Sequence, residues 1–272
     1  MDLHTVRKVR LARDRADLLL QPGESFLAGG TWLYSEPQPR VTGLVDLTAL
    51  GWTSLTVTSD GLDIAATCTL AELLQLPHRP GWRAHPLVAQ CVHSLVASFK
   101  IFGSATVGGN LCTALPAGAL ISLTAALDAT AVLWTPNAGE RTLPVAELVL
   151  GPQVTALQPG ELLRSVRIGT AALQARTAYR KIALTELGRS ASLVIGRVDE
   201  GGTAVFTVTA ATPRPRQLRY LQLPDPGQLQ QDVAGLDDWY DDPHGSPSWR
   251  AHVTVVLAEQ VRSELQSEGA AA

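Results

Sequence analysis

FGSATVGGNLCTALPAGAL, residues 102–120, carries a glycine pair and an asparagine but no charged side chain. A shorter stretch, FLAGGTWL at residues 26–33, contains a second glycine pair. Glycine lets a ligand approach the main chain without a Cβ in the way, and successive free amides in such a turn attract anions, most often phosphate. Either pair alone is also typical of an ordinary turn. Together the two loops indicate a diphosphate held between two lobes.

Neither loop matches the usual nucleotide-binding motifs. The AGGT segment lacks the G-x-G-x-x-G spacing of dinucleotide folds, and no Gly-Lys-Ser/Thr follows either pair. A nicotinamide or ATP site is therefore not indicated. A dinucleotide such as FAD suits two separate diphosphate loops.

Composition excludes several classes of function. The chain has 272 residues, of which 46% are hydrophobic, so it can form one large domain or two to three smaller units with real cores. A net charge of −3 offers no basic field for nucleic acid. The apolar runs fall short of the roughly 20 residues that span a bilayer, and the charged N-terminus lacks a secretory apolar stretch. We expect a cytoplasmic protein with no membrane span.

The cysteines and histidines do not indicate a metal site. Cys68, Cys91 and Cys112 are too widely spaced for a disulfide framework or for the close-set pairs that bind zinc or iron–sulfur clusters. We expect three buried free thiols. The six histidines show no ligand spacing either, and no side chain is predicted to be catalytic.

Local patterns predict an α+β protein. Short strands before residue 53 indicate a small α/β unit, and Asp60-Gly61 predicts the turn of a hairpin. Thr69 and Glu72 form a capping box, and apolar spacing predicts helices over 85–99 and 119–129. Further along, the pattern predicts a helix at about 187–195, a strand at 203–211, an exposed excursion at 223–249 and a final helix at 252–265.

Several motifs together resemble one known family. FLAGGTWL, LVDLTAL, SATVGGNLCTALPAGALISLTAALDA, GERTLPVAEL, PGELLRSVRI and YRKIAL occur in the order seen in the FAD-binding (medium) subunit of molybdenum hydroxylases. These are the carbon monoxide dehydrogenase and xanthine dehydrogenase relatives, and the resemblance covers roughly residues 5–220. It implies a two-subdomain FAD-binding fold of the PCMH type followed by a C-terminal α+β domain, with boundaries at 1–53, 54–172 and 173–272.

The resemblance also implies a set of cofactor-binding residues. One side of the FAD diphosphate would be held by the first loop and the other by the second loop, with the amides of 107–110 meeting the diphosphate. The residues carried over are Leu27, Ala28, Gly29, Gly30, Thr31, Trp32, Thr106, Val107, Gly108, Gly109, Asn110, Ala119, Leu163 and Lys181. Leu163 falls where the family packs an apolar side chain on the adenine or flavin edge, and Lys181 where it has a lysine close to the cofactor. Trp32 either caps the edge of a small sheet or stacks near the cofactor.

This chain departs from the family pattern at several positions. Phe102 replaces an arginine, Leu115 a serine, and Ala119 an aspartate that ordinarily hydrogen-bonds the FAD. A lost charge-assisted hydrogen bond weakens binding by roughly 1.5–3 kcal/mol. Thr185 and Arg189 stand where an arginine and an aspartate lie next to the flavin ring, so the charge near the site of electron exchange differs.

The implied role is electron transfer within a complex. A molybdopterin subunit would oxidise the substrate, an iron–sulfur subunit would carry the electrons, and the flavin on this chain would pass them to an acceptor. The alternative is a stand-alone or degenerate member of the fold, either a biosynthetic flavoenzyme or a binding or scaffold protein without redox activity.

Overall fold

The first lobe, residues 8–50, is built on a small parallel sheet. A computed structural model describes residues 3–270, so the outermost residues of the first and third predicted units lie outside the described part. Three strands pair in parallel in the order β1-β3-β2. They are β1 (Lys8–Leu11), β2 (Glu24–Leu27) and β3 (Gly43–Asp46), with single 3-10 turns at Ala16–Leu18 and Thr48–Leu50. The first loop, residues 28–33, leaves the end of β2.

The second lobe, residues 55–174, is an antiparallel sheet covered by helices. Its strand order is β4-β5-β10-β6-β7, and a two-stranded hairpin, β8-β9, lies beside it. The strands are β4 (Leu55–Thr58), β5 (Gly61–Ala65), β6 (Thr130–Trp134), β7 (Glu140–Pro144), β8 (Val149–Gly151), β9 (Val154–Thr155) and β10 (Leu162–Gly169). The helices are α1 (Leu70–Leu74), α2 (His85–Ser94), α3 (Phe99–Phe102), α4 (Val107–Thr113), α5 (Ala119–Ala126), α6 (Val145–Leu148) and α7 (Thr170–Gln174).

Helix α5 lies at the centre of the molecule. All of its residues are buried, Ser122 and Thr124 included, which confirms the mainly buried helix predicted for this segment. Its N-cap, Gly118, supplies no side-chain hydrogen bond. Ser122 bonds Thr209 of the C-terminal sheet at 2.7 Å between their hydroxyl oxygens, so α5 connects two parts of the chain. The capping box of Thr69 and Glu72 is also present as predicted.

The C-terminal unit, residues 176–270, is an antiparallel meander backed by a long helix. Its strands are β11 (Arg176–Ile182), β12 (Ser192–Val198), β13 (Ala204–Thr209) and β14 (Arg216–Tyr220), and its helices are α8 (Pro226–Ala234) and α9 (Pro247–Ala270). The helix predicted at 187–195 is wrong, because this segment enters β12. Helices α5 and α9 contact β12, and all its residues are buried. A strand buried in this way shows a continuous apolar run without alternation, which a buried helix also shows.

The predicted excursion at 223–249 contains helix α8. Asp225 caps it by accepting a hydrogen bond from the amide of Gln228, and Pro226 occupies the first helical turn. These are ordinary helix-start signals. The many proline, glycine and aspartate residues of this segment favour a loop, and they obscure the pattern of one amphipathic helix that buries Leu229 and Val233.

The two lobes meet at a joint made of arginine and tryptophan side chains. Trp52, in the link between the lobes, packs edge-on against Trp134 with ring centroids 5.4 Å apart. The Arg164 guanidinium lies 4.2 Å from the Trp52 ring centroid, and Arg15 of the first lobe lies 4.6 Å from that of Trp134. Arg164 is the extra residue of a β-bulge in β10, which turns its side chain toward this joint.

Candidate functional site

A cavity of about 650 Å³ lies between the two lobes, within the size range of small-molecule and cofactor sites. The first loop forms one side and the start of α4 forms the other. Most residues predicted to bind a cofactor line it, namely Leu27, Ala28, Gly29, Gly30, Thr31, Trp32, Thr106, Gly108, Gly109, Asn110 and Leu163. Residues far apart in the sequence therefore come together as expected for a ligand held between two lobes.

Three predicted residues lie outside the cavity lining. Val107 is fully buried in the core of the second lobe, and Ala119 is fully buried at the first position of α5. Lys181 lies on β11 of the C-terminal unit, on the same strand face as Tyr179 because side chains alternate along a strand. Among the substituted positions, Leu115 does line the cavity, whereas Thr185 and Arg189 lie in the β11–β12 connection.

The first loop presents a run of free backbone amides. Within residues 3–270, the amides of residues 29–33 donate to no protein acceptor. Gly30 adopts a left-handed conformation with φ of +69°, which starts a turn closed by the Tyr34 amide donating to the Gly30 carbonyl. A concave run of amides of this kind attracts an anion. The first loop therefore has the donors that a diphosphate requires.

Gly29 allows the lobes to come into contact. A Cβ on Gly29 would lie 1.7 Å from the Ser104 carbonyl oxygen and 3.2 Å from the Ala105 Cα. Only glycine fits against this neighbouring backbone. The first loop thus packs directly on residues 104–105, at the start of the second loop, which we define as residues 104–110.

The second loop does not present free amides, which corrects the expectation that amides 107–110 would meet a diphosphate. Val107 and Gly108 donate to the carbonyls of Cys68 and Ala66, each at 2.8 Å. Gly109 donates to the Thr106 hydroxyl, and Asn110 donates to the Thr106 carbonyl, each at 3.0 Å. These residues form the first turn of α4, capped by Thr106 and docked beyond the end of β5. Their amides are already occupied.

The second loop offers side chains and an open glycine surface instead. Asn110 Oδ1 accepts a hydrogen bond from the Leu120 amide at 2.9 Å, which caps α5 in place of Gly118. This bond fixes the orientation of the carboxamide, and its NH2 group has no acceptor among the described residues. A Cβ on Gly109 would meet only the Thr106 Oγ1, at 2.9 Å, so a side chain here would displace the capping hydroxyl and enter the cavity.

Two apolar walls flank the loops, and sequence reasoning missed most of their residues. Leu20, Phe26 and Leu162 belong to the wall nearest the first lobe. Leu95, Ile101 and Cys112 belong to the other. Burial raises the pKa of the Cys112 thiol to about 12, so it stays neutral. These residues sit in ordinary apolar runs, which carry no local signal of a binding surface.

The charged residues of the lining are two glutamates. Glu24 pairs with Arg10 at 2.8 Å and Glu161 with Arg141 at 2.6 Å. The Arg10 hydrogen bond lowers the pKa of Glu24 to about 2, and the Arg141 hydrogen bond lowers the pKa of Glu161. Among the described residues, the lining holds no lysine, arginine or histidine. An anionic ligand here must be held by neutral donors.

Two lobes facing each other across a glycine-lined cavity, followed by an antiparallel α+β unit, define the class of two-subdomain FAD-binding folds. A sequence profile described as the FAD binding domain in molybdopterin dehydrogenase matches residues 8–170. The chain therefore belongs to this family, as the resemblance predicted, and the family implies FAD as its cofactor.

Individual relatives support the assignment. Caffeine dehydrogenase subunit beta of Pseudomonas sp. (strain CBB1) is 35% identical over 98 residues, which span 36% of this chain and 33% of that protein. Xanthine dehydrogenase of Oryza sativa subsp. japonica is 30% identical over 119 residues, or 42% of this chain and 9% of that protein. The matches thus span a third or less of these relatives.

A solved structure supports the fold. Carbon monoxide dehydrogenase from Hydrogenophaga pseudoflava, in a form lacking the Mo-pyranopterin moiety, superposes with a TM-score of 0.81 at 18% identity, over 96% of this chain and 98% of that one. The likeness extends through the C-terminal unit, beyond the residues matched by the profile.

None of the helices within residues 3–270 is long and apolar enough to cross a membrane. In the same range, no group of three or more histidine, cysteine, aspartate or glutamate side chains is placed to hold a metal ion.

Proposed function

We propose that this chain is the FAD-binding electron-transfer subunit of a molybdenum hydroxylase complex. The observation that carries the proposal is the run of five unpartnered amides, residues 29–33, facing Asn110 across the cavity between the lobes. These amides are neutral donors arranged for an anion, in a lining whose charged groups are already paired. A dinucleotide diphosphate fits this arrangement.

The chain's residues would divide the binding between them. The amides of residues 29–33 would donate to the diphosphate, and the NH2 group of Asn110 would donate from the opposite side. The Thr106 hydroxyl accepts from Gly109, so its own hydrogen remains available for a ligand oxygen. Bound FAD would supply reversible two-electron chemistry, with release of electrons singly or in pairs.

The apolar walls would hold the two ring systems and exclude water from them. Leu163 lies at the inner edge of the lining and is 1% exposed, which suits packing against a ring edge. Trp32 lines the cavity and is half-buried, which favours a role beside the cofactor over a sheet-edge cap. Lys181 stands where the family has a lysine close to the cofactor, and it would have to approach the ligand from β11, outside the cavity lining.

We further propose the three units 1–53, 54–172 and 173–272 as domains. The separate sheets of residues 8–46, 55–169 and 176–220 support these boundaries. The chain passes from the first sheet to the second through the link at residues 51–54, and from the second to the third at the turn between α7 and β11.

An iron–sulfur subunit and a molybdopterin subunit would be the partners. The relative from Pseudomonas is named as a subunit, which supports assembly in a complex. The cysteines of this chain give no cluster ligands, since Cys68 and Cys91 are buried and Cys112 faces the cavity. Electrons would therefore have to reach the flavin from another chain.

The proposal is tested by purification and titration. The wild-type protein is expected to bind about one FAD per chain, with flavin absorbance in the visible range. Gly109→Asp places a carboxylate in the cavity and crowds the Thr106 hydroxyl, and it is expected to weaken FAD binding at least a hundredfold, because bound FAD would bury this unpaired charge beside its own diphosphate. Gly201→Asp is the matched control, since its Cβ would meet nothing within 4 Å in an exposed turn.

Two results would count against this site. If the Gly109→Asp protein folds and binds FAD with wild-type affinity, the second loop is not part of the FAD site. If the wild-type protein takes up no FAD at millimolar concentration, FAD is not its cofactor.

A degenerate or stand-alone member of the fold is the second candidate. The observation favouring it is the absence of basic side chains from the described lining, together with Ala119 at the family's acidic position. Co-purification decides between the two. An untagged iron–sulfur protein recovered with the chain supports the complex, whereas a yellow protein recovered alone supports a stand-alone flavoenzyme.

A further inference from the structure

The cavity wall around Leu95 and Ile101 is one chain segment thick. Leu95 and Ala97 line the cavity, whereas Val96 between them is 46% exposed. The backbone is extended at Leu95 and at Ser98, and side chains alternate between the two sides of an extended chain. The same segment therefore has one side in the cavity and the other side on the surface of the protein.

The outer side of this segment carries exposed apolar side chains. Phe99, the first residue of α3, is 80% exposed beside Val96 in the sequence. His93 packs edge-on against Phe102 with ring centroids 5.9 Å apart, which holds α3 against the last turn of α2. Aromatic side chains are enriched at the centres of protein–protein interfaces. We call this surface the outer face, and its exposed residues are His93, Val96, Ser98, Phe99, Lys100 and Gly103.

The outer face lies in a basic part of the chain. Residues 73–127 contain no aspartate or glutamate, although the whole chain has a net charge of −3. Lys100 belongs to the face itself, and Arg79 and Arg83 come just before α2. Among the elements that pack on α2 and α3, namely α1, α5 and β11, only α1 contains a carboxylate, and this Glu72 is used in its capping box. The charge around the apolar centre is therefore positive.

A protein surface with an apolar centre and an acidic rim complements the outer face. Complementary charges of this kind steer association and fix the orientation of the two partners. A partner bound to Val96 and Phe99 would be separated from the cavity only by the segment that forms the wall. This position favours a protein that exchanges electrons with the ligand of the cavity over a lipid surface or a second copy of the chain.

We propose that the outer face docks the iron–sulfur chain that delivers electrons, through an acidic-rimmed apolar surface of that partner. The inference rests on the proposed function, since an electron donor is expected only if the cavity holds FAD. It gives Phe99 and Lys100 a role in assembly and none in cofactor binding.

The test measures assembly of the full chain with its iron–sulfur partner. The partner is recovered with the tagged wild-type chain, identified by its cluster absorbance and peptide masses, separated and titrated against fresh chain. Phe99→Asp should weaken this binding by about thirtyfold or more, because it removes a central aromatic and opposes an acidic rim. An aspartate in the first turn of a helix is favourable, so the variant should fold.

Two measurements separate loss of docking from other effects of Phe99→Asp. Leu221→Asp is the matched control, because Leu221 is 89% exposed in the C-terminal unit. It should bind the partner within about twofold of wild type, as expected for a surface substitution outside an interface. Phe99 lies outside the cavity lining, so the Phe99→Asp protein should keep the FAD affinity of the wild-type chain.

The charge of the outer face is tested by Lys100→Glu. This variant should weaken partner binding by about tenfold, and it should reduce the rise of the dissociation constant with salt concentration. Arg40→Glu is the matched control, because Arg40 is exposed in the first lobe and the substitution changes the net charge equally. It should keep the wild-type affinity and salt dependence.

Several results would overturn the inference. The iron–sulfur partner could bind Phe99→Asp and Lys100→Glu with wild-type affinity. Phe99→Asp could instead abolish only self-association of the chain, or only its binding to vesicles of phosphatidylcholine and phosphatidylserine. A wild-type chain recovered with FAD but without an iron–sulfur protein also overturns it. A wild-type chain that binds no FAD refutes the proposed function itself.

Discussion

Replacing Asn110 by aspartate separates two tasks that one carboxamide performs. Its Oδ1 caps α5 through the Leu120 amide at 2.9 Å, and its NH2 group is free to meet a ligand in the cavity. Aspartate has the same shape and keeps the capping oxygen. It replaces the NH2 donor by a second, charged oxygen.

The substitution should have opposite effects on the stability of the cofactor-free protein and on its affinity for FAD. A carboxylate near a helix N-terminus stabilises by about 0.3–1 kcal/mol, so the cofactor-free Asn110→Asp protein should melt at or slightly above the wild-type temperature. With FAD, the lost hydrogen bond to a charged group costs about 1.5–3 kcal/mol. Repulsion between two charges about 5 Å apart at an effective dielectric constant of about 20 adds about 3 kcal/mol. Affinity should fall by about a thousandfold or more.

Asn110→Ala is the comparison. It removes both the cap and the donor, so it should lower the melting temperature, with a cap loss of about 1 kcal/mol, and weaken FAD less than aspartate does. Thermal melts of cofactor-free protein and fluorescence titrations with FAD measure the two effects separately. An Asn110→Asp protein that binds FAD within threefold of wild type, or that melts as early as the alanine variant, refutes the reasoning.

Two further outcomes follow from contacts at the lobe boundary and at the ion pairs. Gly29→Ala forces a Cβ against the Ser104 carbonyl, so it should destabilise the folded chain by about 1–3 kcal/mol and weaken FAD binding. Denaturant melts measure the loss of stability. An unchanged unfolding midpoint would contradict the close approach of the two loops. Because the folded-state pKa of Glu24 is lowered to about 2 and its unfolded pKa is about 4.3, its pairing contributes stability that is complete at neutral pH and disappears as pH falls through this interval. Urea melts between pH 6 and pH 2 should show a shallower decline in an Arg10→Met protein than in wild type, and parallel declines would contradict it.

The sequence predicted the glycine loops because glycine at a close approach leaves a visible pattern. Gly29 and Gly108 both sit where a Cβ would strike neighbouring backbone. It did not predict which loop has free amides. That depends on Cys68 and Ala66 being brought beneath α4 by the fold, and a carbonyl acceptor leaves no mark in the sequence.

The two lining glutamates were missed for a related reason. Glu24 and Glu161 look like ordinary surface residues until their arginine partners and the apolar wall are seen in three dimensions. The helix predicted at 187–195 is wrong because the segment enters strand β12. Burial of β12 by α5 and α9 removes the alternation of apolar and polar residues that identifies a strand.

The joint between the lobes limits how the chain can be recombined. Trp52 lies in the link at residues 51–54, where a crossover between relatives would be placed to exchange one lobe alone. Such a chimera would take Trp52 from one parent and Trp134 and Arg164 from the other, and it would separate Gly29 from the backbone that it fits. For engineering, the two lobes are therefore one module.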